Sequence, residues 1–358
     1  MKVAIVLGTR PEVIKMAPVV RELARRNTDF FILHTGQHYS YNLDGVFFEQ
    51  LELPQPKHNL DVGSGSHAEK TGKMLVGVEK ALLEEKPDIV LVEGDTNSVL
   101  AGALAAAKLH IKVGHVEAGL RSYDRSMPEE INRVLTDHLS DYLFAPTEIA
   151  KELLLGEGIP ERKIFITGNT IVDAVYQNLE IANSKAKALE KLGLHPKEYF
   201  LVTVHRQENV DDRGRFGGIL KGLKRLSEVF GMRVIYPIHP RSTKRMKEFG
   251  FQWDGIELTD PLDFLGFLHL EANARLVLTD SGGVQEESCI LGVPCITVRD
   301  NTERPETLEV GANILAGTIP EKILECSEIM LGRENNWRNP FGDGKAGERI
   351  VSIITGGH

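Results

Sequence analysis

The stretch "KVAIVLGTRPEVIKMAP", residues 2–18, sets the architecture. "KVAIVL" is an apolar run of strand length, and the residues after it have the pattern of an amphipathic helix, so a strand feeds directly into a helix. Nucleotide-binding α/β proteins place a Gly-rich phosphate loop at such a junction. Here the junction holds one glycine, Gly8, followed by Arg10, Pro11 and Lys15. Gly8 is expected to allow the sharp exit from the strand, and Pro11 is pre-set for a first helical turn. Arg10 would project at the helix N-terminus, where open N–H groups and the dipole favour an anion. Lys15 lies about one turn beyond Pro11 on the same face. A capped helix with two solvated cations accounts for these residues equally well, so the rest of the chain has to decide.

The same plan repeats to the end. Strands are expected at 2–7, 30–35, 88–94, 112–119, 142–146 and 163–168, and again at 199–206, 233–240, 255–260, 275–283 and 294–300, with helical patterns between them. Strands joined by crossover helices form parallel sheets covered on both faces. A polar, Lys-rich segment, "ANSKAKALEKLGLHPKE" (182–198), marks a boundary region. The expected organisation is two Rossmann-like doubly wound domains. Residues 1–170 form the first, with the helix 345–358 packing back on it, and residues 171–344 form the second.

At 358 residues the chain has the length of two domains of roughly 170 residues each. The formal charge of −9 argues against nucleic acid or an anionic membrane as partner. Three cysteines without a C-x-x-C spacing argue against a disulfide framework or structural zinc and suit a reducing cytoplasm. No signal peptide and no run of about 20 apolar residues is present, so a cytoplasmic, soluble protein is expected.

Ligands of doubly wound sheets bind at the carboxyl ends of the strands, and the unusual residues gather there. "VEGDTNSVLAG" (92–102) ends a strand on Asp95, with Thr96 or Asn97 available as helix cap. In "GHVEAGLRSYDRSMPEEINR" (114–133), Glu117 stands at a strand end beside Gly119. Glu129 and Arg133 are one helical turn apart and share a face, whereas Glu130 points about 100° away. His115 and Glu117 alternate on one strand, but without a third ligand nearby a metal site is not expected. In the second half, "TVHRQEN" (203–209) puts His205 and Arg206 at the position equivalent to "GTR". "TDSGGVQEES" (279–288) is the strongest signal. The N–H groups of Ser281, Gly282 and Gly283 suit a phosphate, and Glu287, one turn later, suits ribose hydroxyls. "RDNTERPET" (299–307) adds Arg304 before a Pro-started helix.

The motifs "GTRPExIK", "TGQH", "GDTNSVLAG", "HVEAGLRS", "PEEINR", "GNTIVDA", "HRQEN", "PIHP", "DSGGVQEE" and "RDNTERPE" resemble the non-hydrolysing UDP-N-acetylglucosamine 2-epimerases, in that family's order. The resemblance implies a GT-B-like fold, two Rossmann-like domains facing across a cleft, and a homodimer. It implies conversion of UDP-GlcNAc to UDP-ManNAc without metal or cofactor, in the supply of ManNAc-type sugars to surface glycans. By matching positions it casts Asp95, Glu117 and Glu129 as acid/base carboxylates, with His205 a further catalytic candidate. Arg10, Lys15, His205, Arg206, Ser281, Gly282, Gly283, Glu287 and Arg304 would contact UDP, with Arg133 as supporting cation. Gln37, His38 and His239 match a second, activating nucleotide-sugar site of bacterial relatives, whereas Ser40 and Lys73 depart from it. The pattern is nearer to archaeal members. A GT-B glycosyltransferase would share the fold and the UDP grip but would leave the three carboxylates without a task.

Overall fold

The computed structural model describes residues 1–36 and 41–356. Among these, the strands form two sheets, and every pairing is parallel. The first contains β1 (Lys2–Leu7), β2 (Asp29–His34), β3 (His58–Asn59), β4 (Ile89–Glu93), β5 (Lys112–Val116), β6 (Tyr142–Ala145) and β7 (Ile164–Ile166). The second contains β8 (Tyr199–Thr203), β9 (Arg233–Pro237), β10 (Glu257–Thr259), β11 (Leu276–Thr279), β12 (Cys295–Thr297) and β13 (Asn313–Leu315). All eleven expected strands form, mostly shorter than expected because their last residues are junction loops. β3 and β13, of two and three residues, were too short to carry a periodic signal.

The strand orders are β3-β2-β1-β4-β5-β6-β7 and β10-β9-β8-β11-β12-β13. In each sheet the chain starts in the middle, builds outward to one edge, then returns to build the other. The order reverses between β1 and β4 and between β8 and β11. These two switch points leave a crevice at the carboxyl ends of the strands. Val3 to Leu7 are all at most 1% exposed, as a central parallel strand covered on both faces requires.

Packing divides the chain into Met1–Gln177 with Phe341–His358, and Asn178–Pro340. The helix Thr170–Lys185 runs through the first boundary. In the first unit, the C-terminal helix Ala346–Thr355 lies against the helix Arg10–Arg25. Its first-turn N–H groups at Ala346 and Gly347 donate to the Asp173 carboxylate at 3.2 and 2.9 Å. A Cβ on Gly347 would fall 3.0 Å from the backbone carbon of Pro18, so only glycine permits this approach.

Candidate active site

In the first unit, the β1–β4 switch point brings together "GTRPEVIK" and "GDTNS". Gly8 is buried, and a Cβ there would sit 1.9 Å from Ser98 Oγ. Its role is to admit the helix Asn97–Lys108 against the end of β1, more than to free a turn. Thr9 caps the helix Arg10–Arg25 through extended backbone but without its side chain. Glu12 instead takes the Gly8 N–H at 2.6 Å. Burial pushes the Glu12 carboxyl up to about 7, against the opposing hydrogen bonds from Thr96, Gly8 and Thr9. The Thr9-x-x-Glu12 spacing is a capping-box pattern that the sequence reading passed over.

Lys15 turns inward. Its ammonium hydrogen-bonds the Glu117 carboxylate and lies 3.3 Å from Glu93 Oε1. Burial raises Glu93 well above the ordinary carboxylate range, with Lys15 opposing and Glu117 and Glu12 reinforcing. The structure thus joins Lys15 to the candidate acid/base Glu117, a pairing the sequence did not suggest. Arg10 is exposed at the first turn, its guanidinium 5.5 Å from the Phe47 ring centroid.

Asp95 does not cap the helix that comes after it, because Thr96 Oγ1 accepts the Ser98 N–H at 3.2 Å. Relieved of that task, the Asp95 carboxylate pairs with Arg133 Nη2. Arg133 Nη1 reaches Glu130 at 2.6 Å, where the sequence expected Glu129. Glu130 is the buried one of the pair, accepting also from Ser122 N, Ser122 Oγ and Tyr123 N at 2.9–3.0 Å. The i,i+3 and i,i+4 positions both lie near Arg133, and the loop 122–123 with its backbone donors decides between them. Glu129 is left exposed in the first turn of the helix Pro128–Leu139. Glu117 has φ +67°, a left-handed backbone that a non-glycine residue adopts at a cost of roughly 1 kcal/mol. Such conformations gather at functional sites.

In the second unit the β8–β11 switch point joins "HRQEN" to "TDSGG". Asp280, fully buried, does the joining. Its carboxylate accepts from His205 N at 3.1 Å, Arg206 N at 3.0 Å and Asn209 Nδ2 at 3.1 Å. The sequence reading singled out its neighbours and missed it. Burial lowers the His205 imidazole, helped by His239 and Arg206 and opposed by Asp280. The His239 ring lies 6.5 Å from His205, whereas Gln37 and His38 lie outside the described residues.

The helix Gly282–Ile290 starts without a side-chain cap from Ser281, which leaves the N–H groups of Gly282 and Gly283 uncapped, whereas the Ser281 N–H, also expected to face a phosphate, donates to Thr279 Oγ1 at 2.9 Å. Neither Gly282 nor Gly283 has positive φ, and an added Cβ would meet nothing closer than 3.8 Å at Glu303 or 3.9 Å at Ser281 Oγ. The fold itself has no need of glycine at either place. Glu287 lies one turn further, 9% exposed, pushed up to about 7 by burial against an opposing hydrogen bond from Glu271. Around the cradle, Arg304 Nε is 2.8 Å from Glu286 and Arg206 is 3.4 Å from Glu303. Arg299, 2.8 Å from Glu303, holds that carboxyl down to about 2. The second unit therefore presents an uncapped helix start flanked by Arg304, Arg206 and Arg299, each paired with a carboxylate, and the first presents Asp95 after β4 and Glu117 and Glu129 on the connection after β5.

Residues 21–355 match the family model described as UDP-N-acetylglucosamine 2-epimerase. The UDP-N-acetylglucosamine 2-epimerase of Methanocaldococcus jannaschii is 60% identical over 364 residues, covering 100% of both chains. That of Methanococcus maripaludis is 55% identical, covering 99% of this chain and 98% of its own. A crystal structure of the M. jannaschii enzyme in complex with UDP-GlcNAc and UDP superposes with a TM-score of 0.86 at 59% identity, covering 100% of both chains. With two parallel-sheet α/β units, a likeness spanning the whole chain and a family match over most of it, the protein belongs to the UDP-N-acetylglucosamine 2-epimerase family.

Proposed function

We propose that this protein interconverts UDP-N-acetylglucosamine and UDP-N-acetylmannosamine by eliminating and re-adding UDP through 2-acetamidoglucal. The carrying observation is the pairing of chemistries: an open, cation-flanked helix N-terminus in one unit and three carboxylates at strand-to-helix junctions in the other.

The C2 proton has no neighbouring carbonyl to acidify it, so direct removal is difficult. If the C1–O bond to UDP breaks as the C2 proton leaves, the electrons form the C1=C2 double bond and the intermediate is neutral. UDP then re-adds at C1 while C2 is reprotonated from the opposite face. This requires a base and an acid, which Asp95, Glu117 and Glu129 supply, and stabilisation of the departing diphosphate. Arg10, His205, Arg206, Ser281, Gly282, Gly283 and Arg304 meet the diphosphate, and Glu287 meets the ribose. Lys15 has a different part from the one its position first suggested. Bonded to Glu117 and near Glu93, it fixes the orientation of the Glu117 carboxylate. Arg133 does the same for Asp95. The product supplies ManNAc-type sugars to surface glycans.

Incubation with UDP-GlcNAc alone in deuterated water tests the reading. UDP-ManNAc carrying deuterium at C2 is expected. Absence of UDP-ManNAc refutes the activity, free ManNAc makes the enzyme hydrolytic, and UDP-ManNAc without deuterium refutes exchange through solvent-equilibrated carboxylates.

A further inference from the structure

Behind the three carboxylates lies a second layer of charge with no part in the chemistry above. His115 on β5 and Asp137 in the helix Pro128–Leu139 are 0% and 1% exposed. His115 Nδ1 is 2.6 Å from Asp137 Oδ1, and its Nε2 is 2.8 Å from the Gly94 carbonyl oxygen. A carboxylate and a carbonyl only accept, so both bonds form together when both ring nitrogens carry hydrogen. The other oxygen of Asp137 takes the Gly119 N–H at 3.2 Å and Arg121 Nη1 at 2.7 Å. Arg121, its side chain 1% exposed, continues to Glu157 at 2.7 Å. Burial alone would raise Asp137, but His115 and Arg121 outweigh it and hold the carboxyl below its ordinary range.

Two of the ties end beside a candidate acid/base, and the third is rooted in the helix that carries another. Gly94 precedes Asp95, Gly119 stands two residues past Glu117, and Asp137 belongs to the helix whose first turn carries Glu129. Glu117 needs this support most, because its left-handed backbone persists only where its flanks are held. Ala118 N–H bonds Phe144 O at 3.2 Å, and the next N–H, that of Gly119, is the one Asp137 holds. A Cβ on Gly119 would fall 2.5 Å from Ala150 O, so the turn has no room to shift toward that side.

We propose that His115 and Asp137 are positioning residues that hold the Asp95 loop, the Glu117 turn and the Glu129 helix in one alignment for proton transfer at C2, without touching the substrate. This rests on the reaction proposed above. Proton transfer demands a heavy-atom approach of about 2.6–3.2 Å, and a misplacement of about 1 Å costs on the order of 10²-fold in rate. The tie is also selective: it spans the two junctions of the first unit that carry the three carboxylates, while the anion cradle belongs to the second.

The test is a double-mutant cycle on the full chain, with Asp137→Asn and Glu117→Gln alone and combined, and a parallel cycle with His115→Gln. The readouts are kcat and KM for UDP-GlcNAc, UDP affinity by calorimetry, and the thermal midpoint. Asp137→Asn should lower kcat by roughly 10–100-fold, with UDP affinity kept within about 2-fold. Its loss should shrink once Glu117 is already Gln, since the carboxylate that depends most on the tie is then gone and only the aim of Asp95 and Glu129 is left to lose. Losses that multiply, or an unchanged kcat, overturn the proposal. If Asp137→Asn fails to fold, the His115→Gln cycle decides on the same criteria. A wild-type protein without epimerase activity refutes the reaction itself, whereas an active wild type with multiplicative losses refutes only the positioning role.

Discussion

Replacing Gly282 with alanine separates what the fold needs from what a ligand needs. The added methyl would lie 3.8 Å from Glu303 Oε2, with no closer neighbour, and the backbone there is not left-handed. Ordinary van der Waals contact carries no steric cost. Removing a glycine from the first turn of a helix should instead stabilise the folded state by about 0.5–1 kcal/mol, through lower entropy of the unfolded chain. For a unit of this size that is a rise of roughly 1–4 °C in the thermal midpoint. The ligand side runs the other way. If a phosphate approaches this backbone, the methyl holds it off the open N–H groups, and each hydrogen bond to a charged group is worth about 1.5–3 kcal/mol. Losing one or two reduces UDP affinity by on the order of 10–100-fold or more. Scanning calorimetry gives the first number and titration calorimetry with UDP the second. A protein that keeps wild-type UDP affinity refutes the cradle, and one whose midpoint falls refutes the packing argument. Gly8→Ala is the control, since its Cβ would sit 1.9 Å from Ser98 Oγ, and it should lose stability.

The adjacent glutamates should divide cleanly. Glu129→Gln is expected to change stability by less than about 0.5 kcal/mol and lower turnover by about 10² or more. Glu130→Gln should cost about 2–3 kcal/mol in urea unfolding, because Arg133 and the Ser122 and Tyr123 donors lose a buried carboxylate; equal stability of the two variants would refute the assignment. Glu12 sets a pH trend of its own. Its folded value near 7 lies above the ordinary 4.5, so the folded state holds the proton more tightly, and stability is fullest below about 4.5 and declines as pH rises through 7. Its share reaches up to roughly 3 kcal/mol. Glu12→Gln should reduce the slope of unfolding free energy between pH 5 and 8, with Glu93, Glu271 and Glu287, also raised by burial, leaving a residual slope. Asp173→Ala, which strips two N–H groups of the C-terminal helix of their acceptor, should cost about 1–3 kcal/mol and expose that helix to proteolysis.

Alternating apolar runs and helical periodicity are local, so the strands, the crossover helices and the junction motifs were legible from the sequence alone. The strand-to-helix start at Ser281–Gly283 was legible too, because these residues are consecutive and Glu287 comes at a fixed helical offset. What could not be read was which junction faces which. Asp280 becomes the acceptor for the His205 and Arg206 N–H groups only because β8 lies beside β11. Lys15 stands out in the sequence as a ligand contact, and only the assembly of β1, β4 and β5 places Glu93 and Glu117 around its ammonium. Arg133 stood one turn from Glu129 and nearly one turn from Glu130. Helical spacing alone favoured the first, and the Ser122–Tyr123 backbone, folded over the helix start, selected the second. His115 had no visible partner for a metal site, and in the fold it is a tie between Gly94 and Asp137. In every such case the residue type was visible in the sequence, but the partner was not. A buried charge takes whichever counter-charge the strand order brings within reach, and strand order belongs to the tertiary structure.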